Sequence, residues 1–93
     1  MVILKYELMP IVNQVIPIGN NSAIPIAVAE QDGKLMMWAQ VYENDFKSRQ
    51  AYIHVNIVGT GIPFTVVREY IGTVVMKNGY VWHVYAGVDY EPQ

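Results

Sequence analysis

Ninety-three residues make room for one domain and exclude a second core, and 53% apolar against 15% charged residues is more grease than a wet monomer surface needs, so a partner or a second copy of the chain is expected. A net charge of −2 excludes the basic field that draws nucleic acid, and it is too mild for a protein that imitates DNA. The absence of cysteine excludes disulfides, a thiolate nucleophile and a cysteine zinc site.

The first ten residues, MVILKYELMP, lack the basic start and long apolar core of a signal peptide. No apolar run reaches the ~18 residues of a membrane span. A cytoplasmic protein without membrane contact is the expectation. Apolar residues then alternate with period two almost throughout, the mark of half-buried strands. VILKYEL places Val2, Leu4, Tyr6 and Leu8 on one face and Lys5 and Glu7 on the other. NQVIPI follows as a short strand whose Pro17 predicts an edge position, because proline cannot donate to a ladder. After a GNN turn, AIPIAVAEQ is predicted to face Ile24, Ile26 and Val28 inward. Asp32-Gly33 sits between two alternating runs and predicts a hairpin. The return strand, KLMMWAQVY, is apolar on both sides, with Leu35, Met37, Ala39 and Val41 opposite Met36, Trp38, Gln40 and Tyr42. It reads as a central strand covered on both faces, or one that docks a partner.

ENDFKSRQ is a polar loop, and AYIHVNIV alternates again, with Tyr52, His54 and Asn56 outward. EYIGTVVM and YVWHVY are joined through Lys77-Asn78-Gly79, predicted as a second Asx-Gly hairpin on a type I′ turn. Residues 87–93 read as a tail that frays unless Val88 and Tyr90 pack down. The fold class is therefore all-β: a single domain over residues 1–93, either a small antiparallel barrel or a compact sandwich of five to seven short strands, with two Asx-Gly hairpins.

Three groups of residues are candidates for function. Gly59-Thr60-Gly61, inside VGTGIP, can offer successive backbone N–H groups to an anion. Phosphate loops run from a strand into a helix, whereas here the β-like IPFTVV follows, so a glycine-permitted sheet corner competes with a ligand loop. His54 and His83 have no third ligand at metal spacing and no nucleophile in an activating context, which favours hydrogen-bonded structural imidazoles. The carboxylates lie at turns, strand ends and the tail with no evident acid–base pair. No catalytic residue, no metal site and no cofactor is expected, and the chain reads as not an enzyme. Seven tyrosines and two tryptophans remain, as core filling or as interface. Trp38, Tyr42 and Tyr52, with Arg49 from the polar loop, are the predicted partner-binding residues, because interface energy concentrates in Trp, Tyr and Arg.

In series, Lys5-Tyr6, Gln31-Asp32-Gly33, Trp38-Ala39, Val58 to Gly61 with Pro63, Glu69 to Thr73, and Val81 to Val84 resemble a family of short bacteriophage and prophage proteins. The resemblance covers residues 3–86. It departs at Tyr85, where phenylalanine is usual, and at Ile62, where the family often carries histidine. It implies a phage origin and a compact β fold, and it supplies no catalytic residue. Together with the aromatic strands it points to a non-catalytic phage accessory protein that binds and inhibits a host protein, such as an anti-CRISPR or other anti-defence protein, in the cytoplasm of the infected bacterium. The alternatives are a sponge for a small nucleotide-type ligand and a minor virion structural or assembly protein.

Overall fold

The alternation resolves into seven strands and, among the described residues, no helix: β1 (Val2–Leu8), β2 (Asn13–Gly19), β3 (Ser22–Gln31), β4 (Lys34–Tyr42), β5 (Ala51–Gly59), β6 (Glu69–Val75) and β7 (Val81–Tyr90). The structure, a computed structural model, describes residues 1–43 and 49–91, so most of the polar loop after Glu43 lies outside it. All pairings are antiparallel. A three-stranded sheet runs β1-β4-β3, and a four-stranded sheet runs β2-β5-β7-β6. The result is two facing open sheets, not a closed barrel. Among the described residues, the edge strands β1, β3, β2 and β6 each pair on one side only, and Pro17 in β2 and Pro25 in β3 cannot donate to a ladder.

The core lies between the sheets and is built from alternate positions of their inner strands. Met37, Ala39 and Val41 of β4 face Ala51, Ile53 and Val55 of β5 and Val84 and Ala86 of β7, all buried. The chain crosses from one sheet to the other at Gly19, whose φ of 65° only glycine adopts without cost. The Asn21 amide donates to the Ile18 carbonyl and steadies this corner.

The structure refines several expectations. The slip between Pro25 and Ala27 reverses the phase of β3, so Ile24 and Ile26 point to solvent, while Ala23 and Val28 keep the inward face. β4 is central, and its inner side is buried, but no third layer of described residues covers its outer side. Between β3 and β4 the ladder reaches Gln31↔Lys34, with Asp32 at φ 53° and Gly33 at φ 80°. Between β6 and β7, by contrast, only Gly79 is left-handed. The turn centres on Lys77 and Asn78, with Gly79 N–H donating to the Met76 carbonyl, and the Asn78 side chain accepts from Tyr80 N–H. A type I turn followed by a left-handed glycine is the three-residue hairpin loop, in which only the glycine needs a positive φ. Residues 87–90 extend β7 along Ala51 to His54, and Val88 and Tyr90 pack on the core, the condition set for an ordered tail. The IPFTVV segment, read as β-like, joins no ladder.

Candidate functional site

Register brings the polar side chains of the four-stranded sheet together on its outer face. His83 of β7 stands opposite Val58 of β5 and Thr73 of β6, one position along from the turn that follows β5. Both imidazole nitrogens are engaged: Nε2 with Thr60 Oγ1 at 2.8 Å, and Nδ1 with Thr73 Oγ1 at 2.9 Å. Thr73 Oγ1 in turn meets Tyr70 Oη at 2.5 Å. The VGTGIP turn is thus pinned to the sheet by its threonine. Its shape comes from Gly61 at φ 83° and from Ile62 N–H donating to the Gly59 carbonyl. A threonine hydroxyl on an imidazole invites comparison with an activated nucleophile, but the group orienting the ring is a second hydroxyl, where acyl-transfer triads place a carboxylate.

A second cluster lies along the same face. Asp89 Oδ2 accepts from His54 Nδ1 at 2.8 Å and from Arg68 Nη2 at 2.5 Å. Partial desolvation pushes the Asp89 carboxyl up, but the hydrogen bonds from His54 and Arg68, reinforced by their charge, outweigh it and hold the group below the usual carboxylate range. A carboxylate depressed in the fold stabilises it fully above the unfolded value, about 3.9, and loses that contribution as pH falls through the lower folded value. Melting curves of the parent and Asp89→Asn should therefore differ by a constant amount well above the unfolded value and converge as pH falls below it. A gap that stays constant through this acid range would mean the cluster does not depend on the Asp89 charge.

The predicted partner-binding residues separate into two groups. Tyr52 donates to the Glu91 carboxylate, and that bond, with partial desolvation and the Glu91 charge, raises its hydroxyl above the ordinary tyrosine range. Arg49 donates through Nε and Nη2 to the Glu91 carbonyl, both at 3.3 Å, and lies over the Tyr90 ring. Both therefore close the end of β7 onto the start of β5. Trp38 and Tyr42 stand on the opposite side of the molecule, on the outer face of the three-stranded sheet, where the Tyr42 hydroxyl donates to Gln40. Met36 shares that face, flanked by Ala27 and Ala29, with Ile24 and Ile3 exposed at its margins.

Gly59, at the start of the turn, borders an apolar cleft of about 330 Å³ lined by Pro10, Val12, Ile57, Ile62, Phe64 and Trp82, among others. Among the described residues, no group of three or more His, Asp and Glu side chains is placed to hold a metal ion.

A family model described as a domain of unknown function, DUF7352, matches residues 1–93. The chain belongs to the DUF7352 family. No curated protein and no solved structure matches it. What sequence reasoning missed in this DUF7352 domain is the pairing of distant groups. Thr60 and His83 are 23 positions apart, and Arg68, His54 and Asp89 come from three separate segments. The signal available was the outward phase of His54 and His83. The register that gives them partners comes only with the strand order.

Proposed function

We propose that this DUF7352 domain is a non-catalytic phage accessory protein that acts by binding a host protein and blocking it, with a component of a bacterial defence system as the target class. The observation that carries the reading is the uncovered outer face of the three-stranded sheet. There half-buried Trp38 and Tyr42 lie on the central strand beside buried Met36, with exposed Ala27 and Ala29 on the neighbouring strand. Apolar aromatic surface flanked by long polar side chains such as Lys5 and Gln40 is the composition of an interface core with its rim. The likeness of the motif series to phage proteins supplies the biological setting. The His83 ring, bonded at both nitrogens to threonine hydroxyls, supports a structural role for the most chemically suggestive residue.

Tagged protein in host lysate is expected to retain one host protein in stoichiometric amount, and Trp38→Ala to weaken that complex by about thirtyfold or more, the equivalent of losing a ~2 kcal/mol hot spot. Tyr52→Ala, on the opposite face, should leave the complex intact. Recovery of no stoichiometric host protein and no bound metabolite would sink the reading.

A second reading, a sponge for a small ligand, draws on the cleft beside Gly59. Its lining is mainly apolar, so it suits a ligand that presents a ring or an acyl group there. Native mass spectrometry of gently purified protein separates the two readings, because only the sponge retains a small molecule.

A further inference from the structure

Two open sheets leave four edge strands, and an unprotected edge is a template for another strand. Three of the four are blunted. β2 carries Pro17 and a register slip between Pro17 and Gly19; β3 carries Pro25 and a slip between Pro25 and Ala27; β6 slips between Tyr70 and Gly72. β1 differs. It pairs with β4 in unbroken register over all seven residues, contains no proline, and among the described residues has no strand on its other side. Its side chains are also unusually open: Val2 and Leu4, which share the inward phase of Tyr6 and Leu8, are 39% and 42% exposed.

We propose that β1 is a homodimerisation edge, on which two copies pair antiparallel about a two-fold axis at Tyr6. Charge fixes this choice of partner and register. Residues facing each other across such a two-fold lie on the same side of the sheet, so the pairing must match odd with odd and even with even positions. Centring on Lys5 sets lysine against lysine, and centring on Glu7 sets glutamate against glutamate. Centring on Tyr6 sets Lys5 of each protomer against Glu7 of its partner, twice by symmetry, Leu4 against Leu8 of its partner, and the two tyrosines against each other. The outer edge of VILKYEL is thus complementary to itself in one register. The result is a continuous six-stranded sheet, β3-β4-β1-β1-β4-β3, that extends the Trp38 face across both protomers and covers the half-exposed Leu4. Within a protomer, Lys5 bonds the Gln31 side chain and Glu7 pairs with Lys34 at 3.5 Å, both on the β4 side and both exposed, so pairing with a second copy exchanges these contacts for cross-strand ones. Pairing stops at Leu8 because Met9 turns away, its N–H donating to Gln14 Oε1 and its carbonyl accepting from Gln14 Nε2.

Sedimentation equilibrium of the purified chain tests this. The parent is expected to be a concentration-dependent dimer. Lys5→Glu and Glu7→Lys should each weaken it roughly tenfold, because two opposite-charge cross-strand pairs become two like-charge pairs. Mixed one to one, the two variants should form a heterodimer as tight as the parent, since their charges then oppose correctly. The double variant Lys5→Glu/Glu7→Lys should dimerise like the parent. It keeps the test open should either single variant fold poorly by circular dichroism. A parent that stays monomeric to millimolar concentration would overturn the proposal. So would a dimer indifferent to both single variants, or a mixture no tighter than its components.

Discussion

Replacing Ile53 by alanine is expected to be the most damaging single truncation in the sandwich, costing about 2–5 kcal/mol. Ile53 lies at the middle of β5, paired with Ile16 on one side and Val88 on the other, and is fully buried against the opposing sheet. Both of its ladder partners are partly buried and packed against the core, and Val55 and Ala51 on the same strand are also at zero exposure. Strands on both sides hold it in place, so the site has little freedom to collapse around the missing methyl groups, and a cavity stays open. A domain of this length has roughly 5–15 kcal/mol of stability in all. A loss of about 3 kcal/mol corresponds to a fall of roughly 12–24 °C in Tm. Val15→Ala is the control: it is on the outer side of the adjacent strand, opposite His54, and half exposed, so its effect should stay near 0.5 kcal/mol. Urea melts of the two variants check both numbers. Equal losses would mean that the inner and outer faces of the four-stranded sheet are not distinguished by burial.

The contrast between Ile53 and Val15 also marks what could be read without coordinates. Period two tells which residues of a strand share a side, and for β1, β4 and β5 that assignment stands in the structure: Leu35, Met37, Ala39 and Val41 face one way, Tyr52, His54 and Asn56 the other. It does not tell which sheet a strand joins. Residue type places Trp38 and Tyr52 in one partner-binding set, yet the outer side of β4 and the outer side of β5 are opposite sides of the sandwich. Nor does alternation survive a bulge. One extra residue after Pro25 was enough to send Ile24 and Ile26 to solvent, and proline at an edge is where such slips concentrate. The His83 and Asp89 clusters failed to show for a different reason. Their partners are held by ladder register between distant segments, and a single sequence carries almost no information about register.

Gly72→Ala should destabilise the fold by about 1–2 kcal/mol, although removing a glycine from a strand usually helps. Gly72 follows the slip in β6 and stands opposite Val84. A Cβ placed there would lie 2.9 Å from Val28 Cγ2 on β3, closer than two carbons tolerate. β3 and β6 are the strands through which the two sheets approach most closely, so neither backbone can retreat without opening the core. Valine is stiff about χ1 and cannot swing its methyl aside as a longer side chain would. The expectation is therefore specific to the pair. Val28→Ala alone should cost about 1 kcal/mol through lost burial, but combined with Gly72→Ala it should recover about 1 kcal/mol of the glycine variant's loss, because the added methyl then occupies the space the valine vacated. Gly72→Val should be worse than Gly72→Ala, since its extra methyl groups crowd the same junction. Thermal melts of the two single variants and the double variant form the cycle that decides it. A strictly additive cycle would show that the glycine in Tyr-Ile-Gly-Thr is not there to let the sheets close.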